Sequence, residues 1–169
     1  WNRKVAGGWR DERALTVVEK ALGPEHPRTA QVLGSLAMVL HAEGDWKGAR
    51  AHGERALAIL EKSLGLEHPE TLLGRVRLGL FFQTGGDLKV ARALFERSLA
   101  GSEKVHGPDH PLTAMCLNNL ASVLEATGDM KGARTRLERS LATCERGLGT
   151  EHPYTALAQA LADLIRQIL

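Results

Sequence analysis

One short string recurs four times at a constant spacing of 42 residues, and this periodicity constrains the fold more than any other feature. The string is an acidic residue, His, Pro, any residue and Thr, and it stands at 25–29, 67–71, 109–113 and 151–155. Residues 22–63 and 106–147 are identical at 23 of 42 positions. A fixed period of this length is typical of a solenoid, in which each repeat buries its apolar face only against its neighbours.

Each period reads as two helices. Pro27 suits the first position of a helix, where its missing N–H is not needed. Leu33, Leu36, Ala37 and Leu40 follow at the spacing of one helical face. Gly44 then ends this helix A, and Asp45 caps a second helix B. With 43% hydrophobic but only 4% aromatic residues, the composition favours helices over sheets.

The predicted fold is therefore all-α, a right-handed superhelical solenoid of antiparallel helix hairpins with about eight helices and no strands. One array is expected to span residues 1–169. Its parts are helix B of an incomplete first repeat at 1–21, complete repeats at 22–63, 64–105 and 106–147, and helix A of an incomplete last repeat at 148–169.

Several strings in this pattern resemble the tetratricopeptide repeat (TPR). They are Leu-x-x-Leu-Ala-x-x-Leu in helix A, Gly-Asp followed by Trp, Leu or Met at the turn, and Arg-(Ala/Ser)-Leu in helix B. The 42-residue period and the Leu-Gly-x-(Glu/Asp)-His-Pro-x-Thr linker are similar to those of kinesin light chains and of many bacterial multidomain proteins. The resemblance implies a scaffold that binds a protein or peptide segment in a concave groove lined by the A helices.

The resemblance also indicates which residues line that groove. They vary between repeats while the packing positions recur, and their apolar-polar mixture suits a peptide with hydrophobic anchors. The predicted peptide-binding residues are Gln31, Gly34, Ser35, Met38 and His41 in the first complete repeat, Leu73, Val76, Arg77, Leu80 and Gln83 in the second, and Met115, Asn118, Asn119, Ser122 and Glu125 in the third.

Asn118 and Asn119 resemble asparagines in helix A of kinesin light chains that hold the backbone of a bound cargo peptide. Only the third repeat carries this pair. The chain also lacks the lysines of the carboxylate clamp by which some cochaperones grip an acidic C-terminus. Arg77 is the one basic candidate in the groove, either as a partner for an acidic side chain or as a solvated arginine. Arg75 stands where other repeats carry leucine, a substitution that the repeat pattern does not explain.

The sequence gives no sign of an enzyme, a cofactor or a metal site. The four recurrent histidines should lie along the solenoid about 10 Å apart, whereas zinc needs three or four ligands that converge. A turn-and-cap role is therefore predicted for them. No catalytic string or phosphate-binding loop is present. Cys116 and Cys144 are expected to be buried small residues, and the Glu-Arg pairs of the B helices to coat the surface or link neighbouring repeats.

Charge and hydropathy narrow the class of partner. The 22 basic and 20 acidic residues are interspersed, with a net charge of +2, whereas a nucleic-acid binder usually concentrates basic residues on one face. No apolar run approaches the roughly 20 residues that cross a bilayer. We expect a protein or peptide partner, no nucleic acid and no membrane, and a cytoplasmic location.

The ends of the sequence fall within repeats, and two explanations stay open. One is a fragment of a larger protein, in which the array is a regulatory module. The other is head-to-tail self-association, in which the last helix A of one molecule packs against the first helix B of another. The last helix displays Leu157, Leu161, Leu164, Ile165, Ile168 and Leu169. Leu161, Ile165 and Ile168 are the residues predicted to make the self-association contact.

Overall fold

The protein was described by a computed structural model that covers the backbone of residues 3–168 and the side chains of residues 13–164. This backbone forms helices and turns, with no strand between residues 3 and 168. The helices are α1 (Arg3–Leu22), α2 (Pro27–Glu43), α3 (Trp46–Leu64), α4 (Pro69–Thr84), α5 (Leu88–His106), α6 (Pro111–Ala126), α7 (Met130–Leu148) and α8 (Pro153–Ile168). The all-α class is confirmed. The even-numbered helices are the A helices and the odd-numbered ones the B helices.

The recurrent His-Pro string starts each A helix. Nδ1 of His26, His68, His110 and His152 accepts the backbone N–H two residues further on, at 3.1–3.2 Å. The proline that follows takes the first helical position, where an N–H would have no acceptor. We call the four turns at which the A helices begin the corners. In three of them the threonine hydroxyl also donates to the carbonyl of a glycine six residues earlier. The histidines are helix caps, as predicted.

The turn from helix A to helix B also follows the predicted chemistry. Gly44 has a φ of 84°, which favours glycine, and its N–H donates to carbonyls of the last turn of α2. Asp45 Oδ1 then accepts the N–H of Gly48 at 2.9 Å and so caps α3. Asp87 and Asp129 cap α5 and α7 in the same way.

Contacts between helices divide the chain into two compact units. Unit 1 is Trp1–Gly86 and unit 2 is Asp87–Leu169. In unit 1, α2 packs against α1 and α3, and α4 packs against α3. One apolar cluster joins α2 to α3, with Leu15 of α1 at its edge; its buried members are Ala30, Leu33, Ala56, Ile59 and Leu60.

Unit 2 repeats this arrangement with α6 between α5 and α7 and with α8 against α7. Two apolar clusters connect its last three helices. The first contains Ala121, Leu124, Ala133, Leu137 and Ala162, with Leu161 packed against it. The second contains Ala114, Leu141, Cys144 and Ala158. Small residues at these contacts allow the helices to approach closely.

Ion pairs connect successive B helices within each unit. Arg55 of α3 pairs with Glu19 of α1 at 2.5 Å, and Arg139 of α7 pairs with Glu103 of α5. Both arginines belong to the recurrent Glu-Arg pairs, so the predicted link between neighbouring repeats is present. These pairs are partly exposed and stabilise the structure by at most about 1 kcal/mol each.

Arg75 is buried, with 3% of its surface exposed, at the position that Leu33 and Leu117 occupy in other repeats. Its Nη2 and Nε donate to Glu61 Oε1 at 2.7 and 3.0 Å, and Nη1 donates to the Leu66 carbonyl at 2.9 Å. The guanidinium therefore ties α4 to the end of α3 and to the linker between them. These hydrogen bonds compensate for removing the charge from water.

Candidate functional site

Unit 1 places the predicted groove residues of α2 at its surface. Gln31, Ser35 and Met38 are exposed and His41 is half-buried. Gln31 Nε2 donates to both carboxylate oxygens of Glu70 on α4 at 3.3 Å. The face of α2 that turns toward α4 is thus open to a partner and is positioned by a polar contact between the two A helices.

On α4, four of the five predicted residues reach the surface. Leu80 is exposed, and Leu73, Arg77 and Gln83 are half-buried. Val76 is only 1% exposed, so its side chain does not reach the surface at which it was predicted to bind a peptide. Val76 lies on the side of α4 that packs inside unit 1, and a side chain on that side cannot also face the groove.

A cleft of ≈ 360 Å³ opens between these two A helices, with α3 as its floor. Leu57 and Leu60 of α3 and Leu73 of α4 line its apolar part. Gln31, Glu70 and Arg77 line its polar part. A cleft of this size, mostly apolar with a few polar groups, is suited to bind an organic group.

Glycines keep this cleft open. A Cβ built on Gly34 would have only Arg77 Nη1 near it, at 3.8 Å, whereas a Cβ on Gly74 would lie 3.2 Å from Leu60 on the floor. Gly53 allows Phe81 of α4 to lie directly on α3, since an added Cβ would be 3.1 Å from its ring. The Gly74 and Gly53 contributions were missed from sequence. Aligning the repeats would have indicated them, because unit 2 has the larger residues Ala158 and Leu137 at the positions of Gly74 and Gly53.

Arg77 is the basic group of the cleft. Among the residues whose side chains are described, none forms a hydrogen bond or ion pair with its guanidinium, while Glu70 across the cleft is hydrogen-bonded by Gln31. A half-buried guanidinium without a partner favours a carboxylate as its ligand, because the two groups form paired, charge-assisted hydrogen bonds.

An aromatic cluster closes one end of the unit 1 face. The His41 ring lies 5.0 Å from that of Trp46 and 5.1 Å from that of Phe81, and its Nε2 is 2.9 Å from Thr84 Oγ1. Trp46 remains partly exposed beside it. Trp46 was not among the predicted site residues. The signal for it is the aromatic residue at the Gly-Asp turn, where the other repeats carry leucine or methionine.

In unit 2, the predicted groove residues lie on α6. Ser122 and Glu125 are exposed, and Met115, Asn118 and Asn119 are half-buried. Asn118 Oδ1 is buried and has no hydrogen-bond partner within the described part of the chain. A buried acceptor without a partner is costly. Asn118 is therefore the most unusual polar group on this face.

The residues predicted for self-association are only partly described. Leu161 is half-buried and packs against the cluster that joins α6, α7 and α8. The side chains of Ile165 and Ile168 lie outside the described residues. Head-to-tail association through these three residues stays a prediction.

The cysteines have the expected structural role. Cys116 and Cys144 are both buried. Burial raises the pKa of the Cys116 thiol to about 11, although a hydrogen bond to Ser98 opposes this shift. Burial also raises the pKa of Cys144. Neither thiol is an activated nucleophile at neutral pH.

Comparison with known proteins identifies the repeat. The family model of the tetratricopeptide repeat matches residues 10–62 and 70–146. None of the helices described here has the length and apolar content of a membrane span. The sequence matches none of the curated proteins with which it was compared.

Solved structures agree with this match. Two come from a Podosopora anserina protein described as a kinesin light chain with nearly identical TPR-like repeats. A point variant of that protein is 26% identical to this chain, with a TM-score of 0.84 over 98% of this chain and 78% of the other. The second structure is 27% identical, with a TM-score of 0.82 over the same shares.

A third solved structure, BtubC (BKLC) from P. vanneervenii, shows the same fold at 19% identity, with a TM-score of 0.81 over 93% of this chain and 63% of the other. The family match covers most of the sequence, and the helix-by-helix likeness covers nearly all of it. The chain therefore belongs to the tetratricopeptide repeat family and is of the kinesin-light-chain-like kind.

Proposed function

We propose that this protein is a non-catalytic scaffold that binds a segment of another protein along its A helices, and that the unit 1 cleft receives the segment's anchoring side chain. The TPR family supports the general role of protein interaction. The observation that carries the specific site is the cleft itself, which combines an apolar floor with a guanidinium that has no partner in the described chain.

The shape of the cleft favours a large apolar anchor. Its volume of ≈ 360 Å³ is at the lower end of the range for sites that hold small organic groups. Leu57, Leu60 and Leu73 offer aliphatic contacts, so burial of a leucine or aromatic side chain would contribute about 1.5–3 kcal/mol. Solvent-exposed Met38 and Leu80 extend the apolar surface beyond the cleft.

The charge of the cleft adds a second requirement. Arg77 faces the same space as the apolar floor, so the proposed segment carries a carboxylate close to its anchor. Glu70 keeps its negative charge, because Gln31 is a neutral donor, so the carboxylate of the segment should lie on the Arg77 side of the cleft. A lysine at that same place would meet the guanidinium and be disfavoured.

A peptide array tests this proposal. It places each large apolar residue next to Glu, Gln or Lys, and the wild-type protein should prefer Glu. Arg77→Gln should weaken binding of the Glu peptides about tenfold, as expected for the loss of a charge-assisted hydrogen bond, and should remove their advantage over Gln peptides. Arg28→Gln, on the exposed surface of α2, removes the same charge and should have no effect.

Filling the cleft gives an independent test. Gly34→Leu places a side chain in the cleft, since nothing but Arg77 lies near its Cβ. The substitution also raises helix propensity by up to about 1 kcal/mol, so a loss of binding would not reflect unfolding. Unchanged binding of Glu peptides to both Gly34→Leu and Arg77→Gln would exclude the cleft as the site.

A further inference from the structure

Helix α4 differs from the other A helices in carrying one acidic and one basic side chain on the same face. Glu70 and Arg77 are seven residues apart in the sequence, which is about two helical turns, so both lie on one side of α4. Both also line the unit 1 cleft. The corresponding residues of α6, Leu112 and Asn119, are uncharged. The pair of opposite charges is therefore a property of this cleft and not of the repeat.

Both charged groups remain accessible to a ligand. Among the residues whose side chains are described, Arg77 has no hydrogen-bond or ion-pair partner, and Glu70 accepts only from Gln31 Nε2, at 3.3 Å to each carboxylate oxygen. Gln31 is neutral, so it does not compensate the charge of Glu70. A Cβ built on Gly34 would have only Arg77 Nη1 near it, at 3.8 Å, so the space beside the guanidinium is open.

We infer that the unit 1 cleft binds a free α-amino acid with a large apolar side chain. The ammonium group of the ligand binds Glu70, and its carboxylate binds Arg77 in charge-assisted hydrogen bonds. Its side chain lies on the apolar part of the cleft, which is lined by Leu57, Leu60 and Leu73. The ligand then competes with the protein segment for the cleft. This competition rests on the proposed function, whereas binding of the amino acid does not.

The separation of the two charges suits such a ligand. Cα atoms two turns apart on a helix are about 10 Å apart, and both side chains can reach toward the middle of the cleft without forming an ion pair. An α-amino acid carries both its charges on one carbon and bridges groups up to roughly 8 Å apart, because it adds a hydrogen bond of about 2.8 Å on either side. The cleft volume of ≈ 360 Å³ is at the lower end for small-molecule sites and suits a single amino acid.

The combination of charges selects a free amino acid over other ligands. An internal residue of a protein segment has neutral peptide groups in place of the ammonium and the carboxylate, so it leaves both walls of the cleft without a charged partner. A simple carboxylate would leave Glu70 unpaired, and a simple amine would leave Arg77 unpaired, each at a cost in desolvation. A free apolar amino acid supplies both charges and the apolar group in one small ligand, with no chain to be ordered.

Isothermal titration calorimetry of the full chain with L-leucine and three analogues tests this inference. L-asparagine is of similar size but has a polar end, N-acetyl-L-leucine lacks the ammonium group, and L-leucinamide lacks the carboxylate. L-leucine should bind most tightly. Each analogue should bind about tenfold or more weakly, the effect of losing the apolar contact or one charged hydrogen bond. Equal affinity for L-leucine and all three analogues, or no binding of L-leucine, would overturn the inference without any variant.

Matched variants assign each charge to its partner. Arg77→Gln should weaken L-leucine about tenfold and leave the affinity for L-leucinamide unchanged. Glu70→Gln should weaken L-leucine by a similar factor and leave the affinity for N-acetyl-L-leucine unchanged. Glu54→Gln removes the same charge on the exposed surface of α3, outside the cleft, and should bind L-leucine as the wild type does. Binding of L-leucine that neither cleft variant weakens, with wild-type unfolding by circular dichroism, would place the ligand elsewhere and overturn the inference.

Competition separates this inference from the proposed function. L-leucine should displace the apolar-Glu peptides, because both ligands use Arg77 and the apolar floor. If those peptides bind through Arg77 and L-leucine does not bind, the amino-acid ligand is wrong and the proposed function stands. If L-leucine binds and no peptide does, the proposed function is contradicted and the amino acid is the ligand of the cleft. Binding of L-leucine that leaves the peptides in place would overturn the competition.

Discussion

Unit 1 has Gly53 on α3 and Gly74 on α4 where unit 2 has Leu137 and Ala158, two buried residues at the same positions of the repeat. The result in unit 1 is a cleft with a charged wall. In unit 2 the corresponding positions are filled, and α8 instead exposes the large side chains of Tyr154, Leu157 and Leu164. The His and Asp helix caps of the two units are nevertheless made in the same way.

This difference shows how a repeat protein separates stability from recognition. Corner residues are constrained by backbone geometry and so recur at every step. Floor and face residues are constrained only by the sum of the volumes around them. Gly53 and Phe81 in unit 1 stand at the repeat positions of Phe95 and Val123 in unit 2, so the larger side chain has moved from one helix to the other. Such exchanges change the surface offered to a partner without changing the helices.

The largest predicted effect concerns the buried ion pair of unit 1. Glu61→Ala would leave Arg75 buried without its carboxylate and should lower the free energy of unfolding by about 2–3 kcal/mol, somewhat below the value for a fully buried pair because the Glu61 side chain is 28% exposed. Arg75→Leu should cost less than about 1 kcal/mol, since water can hydrate Glu61 and leucine occupies this position elsewhere.

Chemical denaturation of the two single variants and the double variant measures this asymmetry. The double variant should be close to Arg75→Leu alone, because the cost of Glu61→Ala arises from the unpaired arginine. If both single variants lowered the free energy of unfolding equally, the pair would act as a simple attractive contact, and the buried arginine of unit 1 would need its carboxylate no more than the carboxylate needs the arginine.

The next effect concerns Asn118 in unit 2, which corresponds to buried Val76 in unit 1. Asn118→Val should raise the free energy of unfolding by about 1 kcal/mol, because it removes a buried acceptor that has no partner in the described structure. Asn119→Val, one residue further, is the control and should change stability by less than about 0.5 kcal/mol. A loss of stability in Asn118→Val would mean that Oδ1 is satisfied by water.

Corners were predictable from sequence because their chemistry is local. His26, Pro27 and Thr29 each act within a few residues, so their roles follow from spacing alone. The role of Arg75 was not predictable, since its partners Glu61 and Leu66 lie 14 and 9 residues away on a neighbouring helix and linker. Local strings do not reveal such a contact.

The candidate site was predicted less completely than the fold. The face of each A helix followed from the repeat register, but the burial of Val76 depends on how far α4 turns toward its neighbours. The cleft depends on three glycines at once, and the sequence pattern treats each of them as a variable position. The volume of the cleft depends on how three helices pack against one another, so it cannot be read from the sequence of any one of them.

The smallest predicted effect is a pH dependence that distinguishes the corners of the two units. The His110 ring of unit 2 stacks on the His106 ring, with 4.2 Å between the ring centroids. In unit 1 the position of His106 is taken by Leu64, so His68 has no such neighbour there. Burial, and secondarily the charge of His106, lower the pKa of His110. Its Nδ1 must also stay unprotonated to accept the Leu112 N–H. Asp109 beside it is already paired with Arg146.

The sign follows from linkage. A histidine whose pKa is lower in the folded state binds its proton more readily when unfolded, so stability is full above the unfolded pKa of about 6.5 and falls as the pH drops through it. The loss should be below about 1 kcal/mol, the usual contribution of one helix cap. His110→Asn keeps a capping side chain that does not titrate. The free energy of unfolding of this variant and of the wild type is measured at pH 8 and pH 5, and the extra loss in the wild type is the effect of His110. His106→Leu, which copies unit 1, should make that difference smaller; an unchanged difference would assign the effect to burial of His110 alone.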